Sequence, residues 1–190
     1  MIERDAVRTF NVAGWNILDA VAAKRGRTIS MCLPCRNEGS TIGPLVHAIR
    51  TTLVEDMGLV DELIVLDDRS TDDTAANAAA SGATVVPVSV VHDRFGVGDG
   101  KGNALWATMA VSTGDFIVWC DGDVTSFEPS WVVKLMAPLL LDDSIALVKA
   151  SYERPTDGGG GGRTTELVAR PLLSLFVPSL TGLDQPLSGE

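Results

Sequence analysis

The chain is 190 residues long, 45% hydrophobic and acidic, with 25 Asp and Glu against 15 Lys and Arg for a formal net charge of −10. That length suits one domain with ample material for a core. The charge excludes a nucleic-acid face, because no basic cluster exists to make one, and an acidic protein that handles anions needs placed cations or a bound metal.

Residues 1–10 carry charges of both signs and no apolar segment, which argues against a signal peptide. No apolar run approaches the roughly 18 residues of a membrane span, so a cytoplasmic protein is expected. Hydrophobic period then predicts alternating strands and helices. Residues 28–33 read as a first strand; Ser40 and Thr41 cap a helix in which Ile42, Leu45, Val46 and Ile49 recur at helical spacing. Residues 62–66 read as a second strand. A cap at Thr71, with Asp72 and Asp73 in the first turn, opens an Ala-rich helix that Gly82 stops. Residues 83–88 form a predicted third strand, followed by a glycine-rich loop over 95–102 and a helix over 102–111. A strand over 115–120, a helix over 129–140 and a fifth strand over 145–150 complete the pattern. Strands this apolar, separated by helices, are buried on both faces and parallel, and such sheets bind ligands at their carboxyl edge.

Chemistry-bearing residues fall at that edge. Asp121 and Asp123 end the fourth strand with Gly122 between them; extended geometry points both carboxylates the same way, and glycine lets a ligand approach. Two adjacent carboxylates repel unless a cation lies between them, and Mg²⁺ or Mn²⁺ accepts their oxygens while leaving room for a diphosphate. A solvated Asp-Gly turn is the plain alternative. Lys101, in the glycine-rich loop, belongs to neither a Walker A loop nor a dinucleotide fingerprint, since no Ser or Thr follows it and the glycine spacing differs. It can set one ammonium on a phosphate at a helix start; a solvated linker lysine is the alternative. Cys32 and Cys35 have C-x-x-C spacing, but Cys32 lies inside the strand and no helix follows directly, against redox use. Only His47 and His92 exist to complete a zinc site. Gly158 to Gly162 lead into Arg163, Thr164 and Thr165 before an apolar run, which suits a second anion site or an ordinary capped loop.

The segments Pro34-Cys35-Arg36-Asn37-Glu38, Val60 through Thr74 with its Asp67-Asp68-Arg69-Ser70 core, Gly100-Lys101-Gly102-Asn103 and Asp121-Gly122-Asp123 together resemble a GT-A glycosyltransferase. More narrowly, residues 161–173 and 185–190 resemble the glucosyl-3-phosphoglycerate synthases, and the likeness runs from about Trp15 to Glu190. It implies an α/β, Rossmann-like GT-A fold with a mostly parallel sheet flanked by helices, an N-terminal extension over 1–27 and the transferase domain over 28–190. The activity implied is retaining transfer of glucose from UDP-glucose, or GDP-glucose, to 3-phosphoglycerate with Mg²⁺ or Mn²⁺. Pro34, Arg36, Glu38 and Asp68 would hold the donor's base and ribose; Lys101 the diphosphate or glucose; Asp121 sugar and ribose; Asp123 the metal. Gly162, Arg163 and Thr165 would hold the acceptor phosphate, and Glu190, with Asp121 and Lys101, counts as catalytic. The family continues past the equivalent of Glu190 with a further metal ligand and dimerisation helices, so a C-terminally shortened chain is expected and a homodimer stays open. Other readings are a GT-A transferase with another acceptor, or a non-catalytic nucleotide-sugar-binding fragment needing a C-terminal partner.

Overall fold

The structure is a computed structural model that describes residues 8–10, 17–150 and 168–180. Its centre is a parallel sheet of β1 (Ile29–Cys35), β2 (Glu62–Asp67), β3 (Thr84–Pro87) and β4 (Phe116–Trp119) in the order β3-β2-β1-β4. β1 is central because it is the most apolar segment, and all its residues but Pro34 are buried. Side chains alternate across a strand. Ile29, Met31, Leu33 and Cys35 therefore face one layer, with Leu63 and Val65 of β2, against α1 (Ile17–Ala23), α2 (Ile42–Ile49), α3 (Thr74–Ala80) and α6 (Pro129–Leu141). Leu66 of β2 faces the other layer, where α4 (Val88–Phe95) contributes Val88 and Val91, and α5 (Gly100–Val111) contributes Ala104 and Ala107. Each large side chain so buried contributes about 1.5–3 kcal/mol. α1 lies inside the segment read as an N-terminal extension, and its Ala20 and Ala23 join the main core beside α6.

Several elements differ from the sequence reading. Residues 145–150 form no strand: β4 pairs only with β1 among the described residues, and a short apolar run has no preference for a ladder it cannot reach. α4 was unforeseen, because its apolar positions recur over just two turns in an otherwise polar stretch. α5 opens at Gly100 instead of Gly102, which puts Lys101 in a helical first turn and not in a loop. α3 opens at Thr74 instead of Thr71, because the Asp72 carboxylate accepts the Thr74 N–H at 3.0 Å and ties that residue to the loop before the helix. Neither Ser40 nor Thr41 caps α2 with its side chain. The Thr41 hydroxyl donates instead to the Gly122 carbonyl at 2.8 Å, joining the ends of β1 and β4. A short α7 (Arg170–Phe176) follows in the last described stretch. Among the described residues no helix is long and apolar enough to cross a membrane.

Candidate active site

The chain leaves β1 to build β2 and β3 on one side and returns to place β4 on the other, so the connections diverge between β1 and β4. A crevice at such a point is where open α/β sheets bind ligands. A cleft of about 280 Å³ lies there, walled by Pro34, Cys35, Arg36 and Glu38 after β1, and by Asp68 after β2. Gly100, Lys101 and Ala104 of α5 and Asp121, Gly122 and Asp123 after β4 close it. The expected donor and metal residues Pro34, Arg36, Glu38, Asp68, Lys101, Asp121 and Asp123 thus converge on one cavity. Gly162, Arg163, Thr165 and Glu190 lie outside the described residues.

The convergence of Asp121 and Asp123 has a different origin from the one expected. β4 ends at Trp119, and Gly122 and Asp123 sit in a turn, so chain reversal and not strand alternation brings the carboxylates together. Gly122 is required there: a Cβ would come within 2.4 Å of the Cys35 sulfur.

The electrostatics are concentrated. Partial burial, then the nearby Asp123, Asp72 and Asp121 carboxylates, raise the pKa of Glu38 above the ordinary glutamate range. Lys101 sets its ammonium 2.7 Å from one oxygen of Asp121 and 2.8 Å from the other. Lys101 and Arg36 against Glu38, Asp68, Asp121 and Asp123 leave more carboxylates than cations along the cleft, a field that attracts cations, and all-oxygen donors suit a hard divalent ion. Asp123 makes no ion pair with a described residue and lines the cleft, so it is the carboxylate that fits such an ion, with Asp121 beside it. No group of three His, Cys, Asp or Glu side chains that could hold a metal occurs among the described residues, and an ion that takes diphosphate and water oxygens does not need one.

Residues overlooked in the sequence hold this wall in place. The Asn37 side-chain oxygen accepts the Thr71 N–H at 2.8 Å, and the Asn37 N–H donates to Ser70 Oγ at 3.0 Å. Glu38 N–H donates to Thr74 Oγ1 at 2.8 Å, and Gly39 N–H to Asp72 Oδ2 at 3.0 Å. These contacts clamp the loop after β1 to the loop after β2. Arg69 bridges outward, with Nε 2.9 Å from Asp68 Oδ1 and Nη2 2.5 Å from Asp99 Oδ1. The local turn in which Asp72 accepts the Thr74 N–H is characteristic of Asp and was open to sequence reading. The left-handed backbone of Arg69, at φ 60°, was not, since arginine rarely adopts it.

The C-x-x-C pair is structural. Cys35 packs in the main core, while Cys32, three residues earlier in the strand, points to the opposite face, so the two cannot bridge. Burial, reinforced by neighbouring carboxylates, pushes both thiols up to about 12, which leaves no thiolate near neutral pH. Replacing both by Ala is expected to lower unfolding free energy by about 1 kcal/mol per site in urea titrations while changing nucleotide affinity less than twofold. Activity that tracks thiol oxidation would contradict this.

A doubly covered parallel sheet with an acidic cleft at its switch point and an Asp-Gly-Asp turn defines the GT-A class of glycosyltransferase fold. The sequence matches the family described as glycosyl transferase family 2 over residues 30–178, and the chain belongs to that family. It is similar to the glucosyl-3-phosphoglycerate synthase of Mycobacterium tuberculosis, at 48% identity over 96% of this chain and 58% of the relative. It is likewise similar to that of Mycolicibacterium smegmatis, at 46% identity over 96% of this chain and 61% of the relative. The crystal structure of the M. tuberculosis synthase in complex with Mn²⁺, UDP-glucose and phosphoglyceric acid superimposes with a TM-score of 0.81 at 48% identity, over 96% of this chain and 62% of that one. The chain therefore spans about three-fifths of the length of the relatives it matches.

Proposed function

We propose that this chain carries the donor and metal site of a retaining glucosyltransferase that moves glucose from UDP-glucose to 3-phosphoglycerate. The observation that carries the reading is the single cleft that gathers the residues expected to bind donor and metal, in a chain nearly half identical to synthases described with those ligands. In that cleft Pro34, Arg36, Glu38 and Asp68 receive the nucleoside, and Asp123 holds Mg²⁺ or Mn²⁺. A bound divalent ion supplies positive charge to the leaving diphosphate. Lys101, at the start of α5, adds a second positive charge to the same end, and Asp121 orients both the lysine and the sugar. The anomeric C–O bond to the diphosphate breaks, a bond to the acceptor hydroxyl forms on the same face, and the acceptor proton passes to a diphosphate oxygen. Gly162, Arg163 and Thr165 hold the acceptor phosphate, and Glu190 orients sugar or acceptor. The transferase domain begins at residue 28, and the setting is cytoplasmic.

The test is calorimetric titration with UDP-glucose, with and without Mn²⁺, followed by an assay of glucose transfer to 3-phosphoglycerate by this chain and by a version continuing past Glu190. Metal-dependent binding with transfer in either form supports the reading; no metal-dependent binding refutes it. Arg163 gives a separate expectation, because a guanidinium at the end of a glycine run adds a bidentate contact to a phosphate. Arg163→Ala should cost about 2–4 kcal/mol in kcat/KM for 3-phosphoglycerate and leave UDP-glucose affinity flat. A loss confined to the donor would move Arg163 to the other substrate.

A further inference from the structure

The loop between α4 and α5 sets where the first turn of α5, and with it Lys101, meets the cleft. Gly96, Gly98 and Gly100 alternate along it, with Gly96 and Gly100 at φ 92° and 81°. Glycine loses more conformational freedom on ordering than any other residue, so such a loop stays in one place only where contacts hold it. On the cleft side Asp99 supplies them, accepting from Arg69 Nη2 at 2.5 Å and lying 4.0 Å from Arg36 Nη1. On the far side they come from His92, in the last turn of α4. Its carbonyl accepts the Gly96 N–H at 2.8 Å, and its ring Nε2 accepts the Gly98 N–H at 3.4 Å. The Asn103 side-chain amide of α5 stands 3.0 Å from the same ring nitrogen, and its oxygen leaves no room for a Cβ at Gly98. His92 is half-buried and lines no part of the cleft, so it acts on the cleft only through this loop.

A backbone N–H can only donate, and that fixes the state of the ring. Nε2 must carry its lone pair, so the imidazole is neutral with its proton on Nδ1. Asn103 then turns its NH₂ toward the ring. Protonation puts an N–H on Nε2. Asn103 can answer by turning its amide oxygen inward, whereas the Gly98 N–H faces a second donor and must let go.

We propose that His92 is a positioning residue for the donor: neutral, it fastens residues 96–99 and sets the first turn of α5 at the cleft, and protonated, it releases them. This rests on the donor site proposed above. The charges around the ring are few. α4 packs against β3, which carries none, and against α5, whose single charged residue is Lys101, held on Asp121. The loop carries Asp99, held by Arg69. On α4 itself Asp93 and Arg94 follow His92, and the Arg94 guanidinium lies over the Phe95 ring at 4.8 Å. No ion pair between a described residue and His92 masks the change of ring charge.

The experiment is calorimetry with UDP-glucose in Mn²⁺ across about pH 5 to 8, the range in which histidine changes charge, on the 190-residue chain, His92→Gln and His92→Phe. Gln places an amide oxygen near the position of Nε2 and does not titrate. The cleft carboxylates titrate in all three forms, so the difference between profiles belongs to His92. At the alkaline end the unaltered chain and His92→Gln should agree within about threefold, and His92→Phe should bind about three- to thirtyfold more weakly, the worth of one to two hydrogen bonds. Toward the acid end the unaltered chain should fall to the His92→Phe affinity while His92→Gln stays above it. A thermal melt checks that each variant folds. NMR of the chain without ligand reads the tie directly: the Gly98 amide resonance should follow protonation of the His92 ring and stop doing so in His92→Gln. Coincident pH profiles for the unaltered chain and His92→Gln, or equal affinity in His92→Gln and His92→Phe, overturn the inference and leave the donor site standing. Absence of UDP-glucose binding in the unaltered chain overturns the donor site and the positioning role together, and a Gly98 resonance indifferent to the ring overturns the tie in either case.

Discussion

Asp123→Ala is expected to abolish the Mn²⁺ dependence of UDP-glucose binding, a loss of at least about a hundredfold, or roughly 2.8 kcal/mol, in affinity measured with saturating metal. The residue is exposed in a turn, so its loss should not disturb folding beyond about 0.5 kcal/mol. The effect must therefore come from the field. After burial, the Asp123 carboxylate is the largest contributor to the raised pKa of Glu38, and removing it should bring that pKa down toward the ordinary value, a shift readable by NMR titration of the apo protein. Stability bears the same sign. A carboxyl whose folded pKa is raised contributes least above that pKa, where it is ionised beside its neighbours, so the variant should gain slightly at neutral pH. Asp123→Asn separates oxygen from charge: it keeps a ligand atom and should recover part of the metal response. Binding that stays equally Mn²⁺-dependent in Asp123→Ala would take the metal from this carboxylate.

How much of this was legible in the sequence differs from part to part for physical reasons. The four strands and the helices over Ile42–Ile49 and Pro129–Leu141 were readable, because continuous apolar runs and helical spacing each follow from burial. The strand expected at 145–150 failed on the same signal, since an apolar run states a wish for burial and not a partner. At the site, the residue types and their gathering at the carboxyl edge of the sheet were legible, and the local geometry was not. Asp121 and Asp123 do share a cleft, though through a turn, and Lys101 does reach it, though from a helix. Asp99, Asn37 and the left-handed Arg69 were invisible as site-builders, because their roles arise between loops some thirty residues apart. Local sequence carries no trace of such a clamp.

Lys101→Met is expected to separate catalysis from stability more sharply than any other change in the cleft. Its ammonium meets both oxygens of Asp121, yet its side chain is 54% exposed, and an ion pair at that exposure contributes no more than about 1 kcal/mol to folding. Thermal melts of the variant should accordingly lie within a few degrees of the unaltered chain. The same charge placed where a diphosphate leaves is worth much more, because it strengthens as negative charge develops; losing one such preorganised group typically costs about 2.7–4 kcal/mol, or 10²–10³ in kcat. Metal binding should move the opposite way. Without the lysine, Asp121 adds an unpaired carboxylate beside Asp123, and Mn²⁺ alone should bind at least as tightly as before. The expected pattern is thus an unchanged fold, an undiminished metal affinity and a collapsed turnover, measured in whichever form of the protein transfers glucose. A fall in melting temperature that accounts for the lost rate would make Lys101 a structural residue. Turnover within threefold of the unaltered protein would remove it from the reaction altogether.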